Sequence, residues 1–205
     1  MQNKALILFT KEPLVGQVKT RLIPCLGKQG AYHLYTELIN TMLNRFANTT
    51  YADFIIYKSV ANIDKSYFDD YPKVREQQGA DLGSKMYHAL FQELSHFDKV
   101  ILFGADCPFL TKAIIQTAFL SLETHDYVFV PSVDGGYVLI GAKTISKKVF
   151  QNINWSSAKV MLQTCQILDK MNASYQLLEP LVDIDTASDL EYLKQTHIKI
   201  PEQIN

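Results

Sequence analysis

Residues 5–22, "ALILFTKEPLVGQVKTRL", decide the reading of the fold. The apolar run at 5–9 is short and continuous, which suits a strand buried on both faces. It passes directly into a loop that carries Lys11, Lys19 and Arg21, with Pro13 and Gly16 between them. Ligands of α/β sheets bind at the carboxyl ends of strands. Cations and a glycine at such a place point to an anion, with phosphate the first choice. The plain alternative is a solvated loop, where exposed cations add little to folding.

Similar apolar runs recur as "ADFIIY", "KVILFGAD", "DYVFVP" and "GYVLIGA". Between them lie helical patterns. From Gln29 to Phe46 the residues Tyr32, Tyr35, Leu38, Ile39, Met42, Leu43 and Phe46 repeat at spacings of three and four. Further helices are predicted from Ser84 to Leu94, from near Thr111, from about Ser157 to Met171, and within "DTASDLEYL". Alternating strands and helices imply a mainly parallel sheet covered on both faces, so the class is α/β. No internal repeat, low-complexity tract or linker interrupts the pattern, and residues 1–205 read as one domain.

Composition narrows the function. With 47% hydrophobic and 20% charged residues the chain can build a sizeable core. A formal net charge of −1 argues against an electrostatic nucleic-acid binder, which needs a basic face. No apolar run reaches the roughly 18 residues of a membrane span, and the opening "MQNKALILFT" lacks the features of a signal peptide. Cys25, Cys107 and Cys165 are widely spaced and odd in number, so they read as small core residues of a cytoplasmic protein. The histidines show no ligand spacing.

Several constellations could carry chemistry. Lys19-Thr20 matches the end of the phosphate-binding pattern G-x-x-x-x-G-K-[ST], but Pro13 and Val18 occupy the glycine positions. Proline has no N–H for a phosphate, so that loop class is excluded. No G-x-G-x-x-G follows the first strand, which disfavours a dinucleotide-dependent oxidoreductase. Recognition by side chains remains, with Lys11 and Lys19 as point charges and Arg21 as a bidentate fork. In "VILFGADCPFL", Asp106 lies just past a strand end, after the small residues Gly104 and Ala105. A carboxylate there can hold Mg²⁺ against substrate phosphates, or close a turn. "GADLGSKM" is a glycine-rich turn entering a helix, with Ser84 as an N-cap and backbone N–H groups that could meet an anion or a nucleoside. "PSVDGGYVLIG" reads as a hairpin at Asp134-Gly135-Gly136. In "LVDIDTASDL", Thr186 and Asp189 form a capping signature. Asp185 reads equally as a second metal ligand and as a charge favoured at a helix start, and Asp183 is the weaker ligand candidate. Trp155 reads as a packing or lid residue.

In this order, "FTKEPLVGQVKTRL", "GADLGSKM", "GADCPFL", "PSVDGGYVLIG", "NWSS" and "DIDTASDL" resemble a known family. It is the bacterial transferase-like family associated with radical-SAM and selenium-related domains, within the nucleotide-diphospho-sugar transferase superfamily. "KTRL" and "PSVDGG" are also similar to stretches of 2-phospholactate guanylyltransferase. The resemblance implies a glycosyltransferase-A-like, doubly wound sheet and an Mg²⁺-dependent (or Mn²⁺-dependent) transferase using a nucleotide-activated donor. Glycosyl transfer from a nucleotide-sugar to an unknown small-molecule acceptor comes first. Nucleotidyl transfer from an NTP and a non-catalytic nucleotide-binding module are the alternatives. The implied nucleotide site comprises Lys11, Gly16, Lys19, Thr20, Arg21, Asp81 and Gly83, with Lys19, Arg21 and Asp106 catalytic. Asp106 and Asp185 would hold the metal, and Asp134, Gly135, Gly136 and Tyr137 the acceptor or sugar. Two departures stand out: Gln17 and Lys19 replace the glycines of the nucleotidyltransferase pattern G-x-G-T-R-[LM], and Gly104 replaces the first acid of D-x-D.

Overall fold

The computed structural model describes residues 3–201, so residues 1–2 and 202–205 of the expected 1–205 domain lie outside it. Each of the five apolar runs forms a strand: β1 (Lys4–Thr10), β2 (Asp53–Lys58), β4 (Lys99–Gly104), β5 (Tyr127–Pro131) and β6 (Tyr137–Ala142). Two three-residue strands escape the sequence pattern, β3 (Val74–Glu76) and β7 (Tyr175–Leu177). They form the two edges of a seven-stranded sheet ordered β3-β2-β1-β4-β6-β5-β7. Their side chains are half-buried or exposed, so no continuous apolar run marks them. Pairing is parallel except where β6 runs antiparallel to β4 and β5.

Helices α1 (Ile23–Phe46), α2 (Leu82–Leu94), α3 (Lys112–Thr124) and α4 (Val160–Lys170) cover the sheet. α1 begins earlier than its apolar spacing suggests, because Pro24 suits a first turn. It kinks at Gly27, whose φ of 71° lies in the left-handed region. The helix expected in "DTASDLEYL" is a 3-10 helix over Ala187–Gln195, with the Thr186/Asp189 capping box formed.

Three apolar clusters fix these layers. Leu6, Leu8 and Phe103 meet Met42, Phe46 and Phe119 from α1 and α3. Ile7, Ile55 and Leu102 meet Met86, Leu90, Met161 and Leu168 from α2 and α4. Side chains of this size contribute about 1.5–3 kcal/mol each when fully buried. The third cluster docks Ile184 and Leu193 on Leu26, Leu34 and Leu38 of α1, which anchors the segment around Asp185 to the helix after the β1 loop.

The chain runs from β1 to β2 on one side and places β4 on the other, so the strand order reverses beside β1. Such a switch point opens a crevice at the strand carboxyl ends. Phe9 stands in register with Gly104, which sets the loop after β1 directly beside Asp106.

Candidate active site

The β1 loop is held rigidly at its root. Tyr35 of α1, read in sequence only as part of an apolar stripe, puts its hydroxyl 2.9 Å from both Thr10 Oγ1 and the Lys11 N–H, which donates to it. Burial, and then the charge of Asp106, push the Tyr35 phenol above its ordinary pKa. On the other side buried Glu12 accepts from Ser66 Oγ at 2.7 Å and from the Tyr67 N–H at 2.6 Å. The chain then turns at Gly16, with φ of 77°.

Lys19 follows with φ 46° and ψ 42°, a left-handed conformation costing about 1–2 kcal/mol for a residue with a Cβ. Its side chain is only 3% exposed. The ammonium lies 2.7 Å from Asp106 Oδ1 and 3.7 Å from Asp185 Oδ1, and it donates to the Ile184 carbonyl at 2.6 Å. The expectation of an exposed loop cation is therefore corrected for Lys19. A buried ammonium persists where acceptors surround it, because desolvation otherwise outweighs what it gains.

Asp185 arrives from the far end of the chain. Leu181 forms a bridge with Ser132 beyond β5, and the Ile184 N–H donates to the Asp106 carbonyl at 2.9 Å. Arg21, exposed, donates from Nη1 to Asp185 Oδ2 at 2.7 Å. So Lys19, Arg21, Asp106 and Asp185 do come together, but both cations face the acids. Asp183 hydrogen-bonds Ser132, and burial followed by the charge of Asp134 raises its carboxyl pKa, while the Ser132 bond opposes the shift.

A cavity of about 740 Å³ opens over this cluster. Lys11, Lys19, Lys85, Asp106, Asp183, Asp185 and Tyr137 line it. Lys11 and Lys85 have no ion-pair partner among the described residues, so they are the cations free to meet an anion. Lys85 lies inside "GADLGSKM", and its only sequence signal is a cation in the first turns of a helix after a glycine-rich turn. Gln77 donates from Nε2 to the carbonyls of Thr10 and Tyr57 at 2.7 and 3.0 Å, and no local pattern announces it. Cys107 lines the cavity too, but burial pushes its thiol up to about 12, which keeps it protonated and unreactive. A smaller cavity of about 220 Å³ adjoins, lined by Arg21, Asp134, Asp183, Asp185 and Tyr192 among others.

Other expected residues serve the frame. Asp81 is the N-cap of α2, its carboxylate accepting from the Ser84 N–H at 2.7 Å, a bond that lowers its pKa. It does not line the main cavity. Gly83 lies under Trp155, whose ring would be 2.5 Å from an added Cβ, so it is not open to a base or ribose. Gly16 and Thr20 shape the loop without lining either cavity. Asp134-Gly135-Gly136 form the expected hairpin between β5 and β6, with Asp134 Oδ1 accepting from the Gly136 N–H at 3.0 Å. Gly135 packs against Ala158, whereas Asp134 and Tyr137 reach the two cavities.

The donor set suits a divalent cation. Asp106 and Asp185 bring hard oxygens within ion-pair reach of one point, the Lys19 ammonium. Asp106 Oδ1 is buried and its charge is met by the Lys19 ammonium at 2.7 Å. Mg²⁺ uses one or two carboxylates and completes its shell with water and phosphate oxygens, so two acids fit it. No cage of three or more His, Cys, Asp or Glu exists among the described residues.

The chain belongs to the family DUF2064, described as uncharacterized protein conserved in bacteria, whose signature matches residues 52–157. A solved structure from Desulfovibrio desulfuricans G20, placed by its name among nucleotide-diphospho-sugar transferases, is 32% identical. The match covers 94% of this chain and 87% of that one, with a TM-score of 0.87. A cytidylyltransferase from Leptospira borgpetersenii shares the fold at 14% identity, TM-score 0.61, over 95% of this chain and 86% of that one. The 4-diphosphocytidyl-2C-methyl-D-erythritol synthase of Anaerococcus prevotii does so at 9% identity, TM-score 0.59, over 94% and 95%. No curated protein matches by sequence. The glycosyltransferase-A-like, doubly wound fold is thereby shown. No helix among the described residues is long and apolar enough to cross a membrane.

Proposed function

We propose that the protein is an enzyme, a cytoplasmic transferase that uses a nucleotide-activated donor with Mg²⁺ or Mn²⁺, and that it moves a glycosyl group from a nucleotide-sugar to a small-molecule acceptor. The observation that carries this reading is the convergence of Asp106 and Asp185 on Lys19, beside the unpaired Lys11 and Lys85. The acceptor oxygen would attack the anomeric carbon and lose its proton to water. The bond from that carbon to the diphosphate oxygen breaks, and the nucleoside diphosphate leaves with the electron pair. Lys11 and Lys85 would face the charge that grows on this leaving group, the kind of stabilisation that contributes most to such chemistry. Lys19 and Arg21 would hold Asp106 and Asp185 in place, and these two carboxylates would hold the metal. Bound there, the metal would neutralise charge on the diphosphate oxygens.

Two features favour a nucleotide-sugar over an NTP. Gln17 and Lys19 stand where nucleotidyltransferases use glycines to grip a triphosphate through the backbone. The 32% identical relative is named for nucleotide-diphospho-sugars. The narrower kinship with radical-SAM- and selenium-associated proteins, implied by the ordered motifs, belongs to this reading as well. The test is a panel of nucleotide-sugars and NTPs assayed with Mg²⁺, with water as a poor acceptor. We expect slow release of nucleoside diphosphate from one nucleotide-sugar, lost in Asp106→Asn. Pyrophosphate released from an NTP, with every nucleotide-sugar inert, would replace glycosyl by nucleotidyl transfer. Tight nucleotide binding without turnover of any donor would make the protein a binding module.

A further inference from the structure

Tyr137, at the start of β6, lines the main cavity together with the acids and presents an unexplained group. Its ring meets Phe129 and Trp155 edge-on, at 5.3 Å and 65° and at 6.4 Å and 79°. The side chain lines the cavity, yet its hydroxyl is enclosed and has no hydrogen-bond partner among the described residues. An orphaned buried hydroxyl is rare in native proteins and calls for a partner. Burial raises the phenol's pKa, so the group keeps its proton and is a donor.

Beside it runs a short strap, residues 152–158, whose Trp155 ring meets the Tyr137 ring. Trp155 is flanked by two non-glycine residues in the left-handed region, Asn152 with φ 56° and Ser156 with φ 62°. Backbone strain of this kind collects at clamps and switches. The strap rests on two glycines that leave it no slack. A Cβ on Gly83 would lie 2.5 Å from the Trp155 ring, and one on Gly135 would lie 2.3 Å from the Ala158 carbonyl oxygen. Ser156 borders the same cavity.

We propose that the strap is a roof which the donor's sugar ring lifts, and that the Tyr137 hydroxyl then donates a hydrogen bond to an oxygen of that ring while Trp155 closes over it. Aromatic faces take up the C–H surface of a hydroxylated ring, and the single donor reads one of its oxygens. The identity of the ligand rests on the reading proposed above; the roof and the orphaned hydroxyl do not.

Trp155 is the one tryptophan of the chain, so its fluorescence reports the strap without interference. Without ligand, Tyr137→Phe should melt at the wild-type temperature or a few degrees higher. A clear drop would mean that the hydroxyl has an internal partner, and would overturn the proposal. Gly83→Ala should raise acrylamide quenching of Trp155 about twofold or more, and unchanged quenching in the folded variant would remove the roof. If that variant does not fold, the Tyr137→Phe arms decide alone. The probes are UDP with UDP-glucose and GDP with GDP-mannose, each with Mg²⁺, and free glucose and mannose. One nucleotide-sugar should shift Trp155 emission where its bare diphosphate does not. Tyr137→Phe should weaken that nucleotide-sugar about tenfold, the factor for one lost hydrogen bond, and leave the diphosphate unchanged. Equal loss for both, or no loss, overturns the role of Tyr137. A shift with a free sugar alone would keep the roof and discard the nucleotide donor. No emission change with any probe overturns the ligand role altogether.

Discussion

The protein buries charge in several places, and two of them are built in opposite ways. Under α2, Glu93 is fully buried and its cation Arg75 is 41% exposed. Tyr57 donates to Glu93 Oε1 at 2.6 Å, and Arg75 Nε lies 2.8 Å from the same oxygen. Over the cavity the cation is the buried member. Lys19 is 3% exposed, whereas Asp106 and Asp185 are 44% and 38% exposed. The first arrangement spends a carboxylate inside the fold and offers nothing to solvent. The second seats two half-exposed carboxylates on a buried cation at the cavity wall, with Asp185 held from its other oxygen by Arg21. Burial of a charge alone therefore does not mark a site, and neither does an accessible partner, since Lys99 is buried against the exposed Glu123 without lining the cavity; the Lys19 cluster stands apart because its acids border the cavity.

The sharpest break between the two clusters should come from Asp106→Asn. Turnover of the best donor should fall about 10²–10³-fold, the range for removing one group that stabilises transition-state charge. Stability should drop by only about 1 kcal/mol, because Asp185 and the Ile184 carbonyl still face Lys19. Steady-state kinetics beside a urea titration would check both. Glu93→Ala should do the reverse. It leaves the Tyr57 hydroxyl and the Arg75 guanidinium without their acceptor, at about 3 kcal/mol of stability. Turnover per folded molecule should stay at the wild-type value, and a comparable loss of activity would erase the distinction drawn here.

Lys19→Met tests the second cluster from its buried side. We expect a loss of about 2 kcal/mol by denaturant midpoint, less than for a fully enclosed pair because solvent screens both acids. An unchanged midpoint would mean that the ammonium merely visits the acids. The smallest effect is expected from Lys11→Ala combined with Lys85→Ala. Fold stability should hold, since neither residue has an ion-pair partner among the described residues. Donor affinity, read by calorimetry, should weaken by about 1 kcal/mol, and its salt dependence should flatten.

Much of the frame was legible. The five long strands could be read because burial on both faces demands unbroken apolar runs. The hairpin at Asp134 and the capping box at Thr186 and Asp189 could be read because turns and helix ends need particular side chains, whereas the N-cap expected at Ser84 is Asp81, with Ser84 three residues on as its capping-box partner. The edge strands β3 and β7 were not legible, since three half-exposed residues carry no periodicity. At the site, the loops that carry the clustered acids and cations could be read, and several roles could not. Asp81 is occupied by its cap, Gly83 and Gly135 make room for the strap, and Lys85 and Tyr35 are the residues left unread.

By itself the sequence determined the α/β class, the loops that would meet at the strand ends, and the acids and cations they carry. All of these follow from local rules: apolar period, turn chemistry and residue type. Only the tertiary structure decided which cation would be enclosed and which left free. Lys19 finds its carbonyl partner 165 residues away and Arg21 its carboxylate 164 residues away, distances across which no local pattern can act. Docking Ile184 and Leu193 on α1 closes that gap, and the burial it creates turns a loop lysine into the fixed counter-ion of the two aspartates.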